Sequence, residues 1–340
     1  MHIGFVYDLR DEYLGLGYSQ LEVAEFDSAS TIEEIDAAFV RLGHTVDRVG
    51  RGQSLARRLA DGERFDLVFS IAEGLSGRSR EAQVPALCEL FDQPYAFSDP
   101  LTMTATLDKV VAKQIVSGHG IPTATFAHLR SANDADKVDL AYPLFVKPVA
   151  EGSSKGISAA SLVRNPVELA AVSSDLLERF REPVLVERYL PGRELTVGIL
   201  GTGRDARVLA VMEVLFGAGA EPGGYTYRNK TVWQGIISQR LVEETELASA
   251  AGAIALAAWR ELRCRDAGRV DVKLDDDGRP QFLEVNPLAG LAPGESDLTI
   301  MCDLLGVSHT QLIGWILESA SARIGASART PRPILATAGS

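Results

Sequence analysis

Cysteine is nearly missing from this chain. Cys88, Cys264 and Cys302 are scattered, odd in number and outside any CxxC spacing, which excludes a disulfide framework or zinc site and leaves buried small hydrophobes as the reading. Long apolar runs are missing too: the longest, near Ala250 to Trp259, is too short and too alanine-rich to span a bilayer, so no membrane partner is expected. Cations are in deficit, with 34 Lys and Arg against 46 Asp and Glu and a formal charge of −12. Such a surface repels a polyanion, and nucleic acid is not an expected partner. A few local cations and backbone N–H groups still suffice to bind a small anion. The opening Met-His-Ile-Gly-Phe-Val-Tyr-Asp has no basic n-region and reads as a strand at once, so a cytoplasmic location is expected. Aromatics are only 7%, yet 46% hydrophobic and 24% charged residues make a folded core attainable. A length of 340 residues implies two or three domains.

What is present alternates in period. Ile3 to Tyr7 suits a buried parallel strand. Ser30 to Leu42 then places Ile32, Ile35, Ala38, Phe39 and Leu42 on one side of a helix that Gly43 stops. Strands Thr45–Val49 and Asp66–Ile71, the loop 72–80 and a helix from about Glu81 to Leu90 complete a βαβ rhythm, which predicts a doubly wound parallel sheet to about residue 98. Beyond it come a helix from Leu107 to Gly118, strands Leu144–Pro148 and Ile157–Val163, a helix Pro166–Phe180 and a strand Val184–Glu187. The remainder mixes strands Glu194–Leu200, Val208–Val214, Val270–Leu274 and Gln281–Val285 with a helix Glu243–Leu262. Asp275-Asp276-Asp277-Gly278 is hairpin chemistry, and the Ala/Ser/Pro/Arg-rich residues after about 322 read as a loose tail.

Chemistry concentrates at three places. Asp271 lies on the first strand of that hairpin, with Glu284 and Asn286 two apart on the second and so on one face. Two carboxylates and an amide are hard-oxygen ligands suited to magnesium; an ordinary hairpin whose acids face water is the plain alternative, about equally weighted. Next, Glu151-Gly152-Ser153-Ser154-Lys155-Gly156 can wrap a phosphate in backbone N–H groups and hydroxyls, although most such loops are simple turns. Lys147 precedes it on an apolar strand, where an unpaired ammonium is costly. Third, Leu185 to Leu190, followed by Glu194, offers an apolar strand end and a carboxylate of the kind that reads adenine and ribose. Lys109 and Lys230 are further candidate phosphate contacts, each by itself more often a surface lysine.

The order of these residues, with Phe145-Val-Lys-Pro, Glu151-Gly-Ser-Ser, Gly268-Arg-Val-Asp-Val and Leu283-Glu-Val-Asn-Pro, resembles the D-alanine–D-alanine ligases of the ATP-grasp superfamily over about residues 3 to 318. The resemblance implies an α/β (α+β) ATP-grasp fold: an N-terminal Rossmann-like domain at 1–98, a central ATP-grasp subdomain at 99–183, a C-terminal subdomain with the metal site at 184–322, and a tail at 323–340. It assigns Lys109 and Lys147 to the phosphates, Ser153 and Ser154 to a loop over them, Glu187, Arg188, Tyr189 and Leu190 to adenine and Glu194 to ribose. Asp271, Glu284 and Asn286 would hold two magnesium ions, for which manganese can substitute. Arg269 and the Gly290 backbone match groups that steady a tetrahedral intermediate and bind the second substrate's carboxylate, Ser296 and Leu298 a loop that binds the same substrate, and Lys230 a mobile loop over the nucleotide. Arg269, Ser153 and Lys230 are the catalytic candidates. The reaction implied is phosphorylation of a carboxylate to an acyl phosphate, attacked by an amine with release of ADP. The family is commonly dimeric, so a homodimer is expected.

Departures fall at the first-substrate end. The family's glycine-rich turn and Ser-x-Glu element are absent after the first strand, where Tyr7-Asp-Leu-Arg-Asp-Glu-Tyr-Leu stands. Glu25, or Glu22, takes the place of the glutamate that holds the first substrate's ammonium. Glu73, in Ala72-Glu73-Gly74, stands where the family has histidine, which favours an amine or hydroxyl over an acid as partner. Arg78 and Arg80 either bind a substrate carboxylate or pair with Glu73 and Glu81. Thr231 stands where a tyrosine is common, with Tyr225 and Tyr227 close by. The expected function is therefore an ATP-dependent ligase of amino-acid-like substrates with an altered first substrate. The alternatives are a catalytically silent ATP-binding sensor or partner subunit, a D-alanine–D-alanine ligase proper, and a ligase whose nucleophile is a hydroxyl.

Overall fold

The computed structural model describes residues 1–221, 224, 226–231 and 235–328, with only the backbone described at 230, 231 and 326–328. Its strands are β1 (His2–Val6), β2 (Thr45–Gly50), β3 (Leu67–Ser70), β4 (Phe126–Leu129), β5 (Leu144–Pro148), β6 (Leu162–Val163), β7 (Val184–Arg188), β8 (Glu194–Leu200), β9 (Arg207–Phe216), β10 (Ile237–Leu241), β11 (Ala267–Leu274) and β12 (Pro280–Asn286). They form a parallel sheet in the order β2–β1–β3 and two antiparallel sheets, β4–β7–β5–β6 and β10–β9–β8–β11–β12.

β1 reads as an unbroken apolar run because Ile3, Phe5 and Val6 are fully buried, as a central parallel strand covered on both faces requires. The helix Ala29–Arg41, capped by Ser28 accepting from the Thr31 N–H at 3.3 Å, turns Ile32, Ile35, Ala38 and Phe39 inward. Aromatics are few but gathered: Phe5, Phe39, Phe69 and Phe97 meet edge to face in series at 5.6, 5.0 and 5.0 Å, a favoured arrangement of the ring quadrupoles. Leu312, Ile313 and Ile316 of the last helix, His309–Ala328, enter the same core. Residues 323–328 are therefore helical and not the loose tail expected from 323, and Arg323 lies 2.9 Å from Asp266; residues 329–340 lie outside the described residues.

Two further expectations are corrected. The boundary placed at 183/184 cuts the central sheet, because β7 pairs with both β4 and β5; the strand of the five-stranded sheet begins only at Glu194. Of the strand expected over Ile157–Val163, only Leu162–Val163 is extended. Ser158 and Ser161 form a reciprocal capping box around a short 3₁₀ turn, and hydroxyls bonding local backbone compete with a ladder. The five-stranded sheet packs on the helix Thr245–Glu261 through Ala251, Ala255, Ala258 and Trp259, which explains the alanine-rich run. No single helix among the described residues is long and apolar enough to cross a membrane. The helix Lys109–Gly118 lies between the two antiparallel sheets, giving Val116 to the five-stranded core and Val110 to a cluster with Val149 and Leu185.

Packing beside the hairpin is tight. A Cβ at Gly268 would stand 2.5 Å from the Asn286 carbonyl and 2.7 Å from the Trp259 ring. Gly268→Ala is expected to destabilise the protein by about 1–3 kcal/mol through overpacking, read by thermal denaturation; an unchanged melting temperature would contradict it.

Candidate active site

The β11–β12 hairpin is closed by Asp275, whose carboxylate accepts from the N–H groups of Asp277 and Arg279 at 3.0 and 2.9 Å, with Gly278 at φ +76°. Asp271 then stands opposite Glu284 and Arg269 opposite Asn286. Between Asp271 and Val272 the register shifts, so that Leu283 is one residue too many for its partner strand. The bulge turns Leu283 and Glu284, sequence neighbours, into the same cleft. Arg269 pairs with Asp271 and lies 3.6 Å from Asp297, while Thr196 donates to Asp271 at 3.1 Å. Burial, with Glu284 and Asp297 adding to it, pushes the Asp271 carboxyl up to about 6 against the pull of Arg269. Among the described residues the buried Asn286 Nδ2 has no hydrogen-bond partner.

Facing the hairpin is a buried charge network. The Glu187 carboxylate takes Lys147 Nζ at 2.9 Å on one oxygen and Lys113 Nζ at 2.9 Å on the other. Despite burial, these two ammonium groups hold Glu187 down at about 2. Burial lowers Lys113, only partly offset by Glu187, whereas Lys147 is raised because Glu187 and Glu284 outweigh its burial. Lys109 is set at the first turn of its helix by the Asp108 cap, which accepts from Val110 and Val111 at 3.1 and 3.0 Å. Its Nζ donates to the Glu151 carbonyl at 2.8 Å and lies 3.4 Å from Glu284.

The loop 151–156 crosses between these elements. Ser153 and Ser154 sit at φ +47° and +57°, a region costly for non-glycine residues and common at functional loops. Lys155 anchors the loop, pairing with Glu151 and lying 3.1 Å from Glu25. A Cβ at Gly152 would lie 1.9 Å from Glu25 Oε1, so a larger residue there would push that carboxylate off its contacts with Arg80 and Lys155.

Two cavities flank this loop. One, of roughly 600 Å³, is lined by Phe145, Lys147, Ser154, Glu187 to Leu190, Glu194, Asp271, Lys273, Leu283 and Glu284; its mixture of a stacked Phe145–Tyr189 pair with lysines suits a base joined to phosphates. The other, of roughly 1120 Å³, is polar and includes Glu25, Asp27, Glu73, Glu81, Lys109, Ser153, Arg269, Asn286, Gly290 and Ser296 in its walls. Glu284 lines both, and the consecutive serines divide between them.

Most of the sequence-predicted residues are thus brought together, with exceptions. Arg78 points away: 72% exposed, it lies 2.6 Å from Asp108. Arg80 is buried and lies 3.2 Å from Glu25, so neither arginine pairs with Glu73 or Glu81 within 4 Å. Glu22 is exposed and accepts from Ser19, leaving Glu25 as the cavity residue. The Leu298 side chain is a core residue, 1% exposed and clustered with Leu200, Leu291 and Cys302 beside Gly198, and does not line the cavity. Arg188 turns its side chain to Asp276 at the surface, and Glu187 gives its carboxylate to lysines. Lys230 belongs to the short helix Tyr227–Thr231, but its side chain, like all of Tyr225, is outside the described residues. Sequence reasoning missed Lys113 and Lys273, the latter 2.8 Å from Glu194, and named Lys155 only as part of its loop, without its ion pairs. Only the i, i+4 spacing of Lys109 and Lys113 gave a usable signal.

Comparison with known proteins agrees with this geometry. The family model described as D-ala D-ala ligase C-terminus matches residues 115–318. The chain is 34% identical over 259 residues to the uncharacterized protein y4sG of Sinorhizobium fredii, spanning 76% of this chain and 75% of that one. It is 33% identical over 270 residues to a D-alanine–D-alanine ligase of Bordetella avium, spanning 78% and 81%. The fold superposes on the ATP-complexed D-alanine–D-alanine ligase of Bacillus anthracis with a TM-score of 0.72 at 21% identity, covering 96% of this chain and 99% of that one. The chain belongs to the D-alanine–D-alanine ligase family of ATP-dependent, peptide-bond-forming ligases with the ATP-grasp fold.

Proposed function

We propose that this protein is an ADP-forming carboxylate–amine ligase joining two amino-acid-like substrates, the first of them not D-alanine. The observation that carries the reading is Glu284, which lies in the walls of both cavities and so stands where a nucleotide phosphate and a substrate carboxylate can meet. Asp271, Glu284 and Asn286 fit a pair of magnesium ions. Among the described residues no three His, Cys, Asp or Glu side chains gather into an all-protein cage, and magnesium binds through one or two carboxylates while keeping waters and phosphate oxygens. When bound, the metal supplies charge neutralisation on the transferring phosphoryl group.

The protein's own part is positioning. Lys147 and Lys109, held by Glu187 and the Glu151 carbonyl, present ammonium groups toward the phosphate end. Ser153 and Ser154 cover it, with Lys230 assigned to the adjoining loop. Glu187 to Leu190 and Glu194 line the base and ribose end. Arg269, kept charged because Asp271 and Asp297 outweigh its burial, and the Gly290 backbone steady the oxyanion that forms as the amine attacks. Glu25 and Glu73 line the first-substrate end and Ser296 the second; Arg78 and the Leu298 side chain have no part. A carboxylate at Glu73 in place of a histidine supports a first substrate different from D-alanine.

The test is ADP release with magnesium and ATP across pairs of amino acids. Turnover with a pair other than two D-alanines supports the reading; D-alanine alone serving both roles would sink the altered specificity, and ATP binding without turnover on any pair would favour a silent nucleotide-binding protein. Glu284→Ala is expected to lower turnover by about 10²–10³-fold, with the circular dichroism spectrum unchanged. Near-normal activity would refute the placement.

A further inference from the structure

One wall of the larger cavity carries more negative charge than a neutral first substrate would match. Asp27, Glu73 and Glu81 line it, and among the described residues none of their carboxylates makes a hydrogen bond or ion pair. Their neighbours differ: Glu25 holds Arg80 and Lys155, Glu151 holds Lys155, and Glu284 holds Lys109. Arg10, the other cation lining this wall, spends its guanidinium on the Phe26 carbonyl at 3.1 and 2.7 Å.

The backbone is built to hold the three acids there. Asp27 is tied by Arg10 N–H to its carbonyl at 3.0 Å and by its own N–H to the Asp8 carbonyl at 3.3 Å. Gly74 donates to Asp8 Oδ2 at 2.9 Å. At φ +73° it lets the chain fold so closely that a Cβ there would lie 2.7 Å from the Arg80 carbonyl. That fold-back puts Glu73 and Glu81, the residues flanking the contact, on the same wall.

On the side of the cavity built by the N-terminal domain and the loop 151–156, five carboxylates (Glu25, Asp27, Glu73, Glu81, Glu151) face three cations (Arg10, Arg80, Lys155), while Lys109 with Glu284, Arg269 with Asp271 and Asp297, and Glu295 belong to the rest of the site. The deficit is two positive charges. An α-ammonium supplies one. Neutral amino acids leave the other missing, and a partly buried carboxylate without a counter-charge is costly. Burial above all holds Glu73 well above the ordinary carboxylate range and Glu81 and Asp27 at about 7, a sign that the wall lacks a cation.

We infer that Asp27, Glu73 and Glu81 form a subsite for a second cationic group on the first substrate, so that the substrate activated here is a diamino or guanidino amino acid. This rests on the ligase reading above. The experiment compares kcat/KM for ADP release, with magnesium-ATP and a fixed panel of acceptor amino acids. The first substrates are both enantiomers of 2,3-diaminopropionate, ornithine, lysine and arginine, set against those of alanine and serine. At least one basic amino acid is expected to exceed every neutral one by about tenfold or more. Glu73→Gln and Glu81→Gln, made singly, are each expected to reduce that ratio several-fold while the KM for ATP stays as in the parent, which also certifies that the variants fold. Neutral amino acids used as well as basic ones, or a preference that survives both substitutions, overturns the subsite and leaves the ligase reading intact. ADP release with neither class, from protein that binds ATP, overturns the ligase reading and this inference with it.

Discussion

Replacing Lys147 by alanine is expected to cut ADP release by about 10²–10³-fold, the cost of removing one preorganised charge from a phosphoryl-transfer site, while the protein stays folded. The second half of that expectation follows from the network. Lys147 shares Glu187 with Lys113, each at 2.9 Å, so its loss leaves the carboxylate still paired with one ammonium and no buried charge is orphaned. Single-turnover kinetics with magnesium-ATP, set beside thermal denaturation, separates the two effects. A melting temperature that collapses with activity would make Lys147 structural, and retained turnover would remove it from the phosphate site.

The converse substitution has the opposite signature. Glu187→Leu leaves Lys113 and Lys147 buried, at 0% and 3% exposure, without their shared counter-ion. Breaking a buried pair from one side costs about 3–5 kcal/mol, and here two cations are stranded. The melting temperature is expected to fall by roughly 5 °C or more. The pH dependence gives a second reading. In the variant the lysines prefer to be neutral when folded, so their folded pKa values lie below the unfolded value. The unfolded chain then binds more protons, and stability rises with pH. The penalty is therefore largest at neutral pH and shrinks as pH climbs toward the lysine range. In the parent, Glu187 itself titrates at about 2, so its stabilisation is present above the ordinary carboxylate range and is lost only as pH falls toward that value. A Glu187→Leu protein as stable as the parent at pH 7 would mean that water reaches the two ammonium groups.

The hairpin, the Lys147 strand and the serine loop were legible because each combines a local signal with a fixed order along the chain: a turn, an apolar strand carrying one lysine, a short run of small residues. Helix Pro166–Phe180 and strand Glu194–Leu200 were legible to the residue, since Asn165 caps one and apolar character marks the other. Partnerships between distant residues were not. Arg78 and Arg80 are two apart and chemically alike, yet one is held at the surface by Asp108 and the other buried against Glu25; only tertiary packing decides. Lys273 meets Glu194 because β8 and β11 lie side by side, a pairing no local pattern carries. Leu298 was assigned to a ligand loop by resemblance, but the hydrophobic core it shares with Leu200, Leu291 and Cys302 claims its side chain. The misplaced boundary at 183/184 has the same cause, since β7 follows a helix and reads as the start of something new while its hydrogen bonds run back to β4 and β5.

The contact of Lys155 with Glu25 ties the serine loop to the N-terminal domain through one ammonium group. Any displacement of residues 151–156 carries Lys155 and its loop partner Glu151 away together, leaving Glu25 to Arg80 alone while the net charge around the neighbouring cavity stays the same. Loop position and the pairing of Glu25 are thus a single variable: with the loop seated two cations share that carboxylate, and with the loop raised only Arg80 holds it.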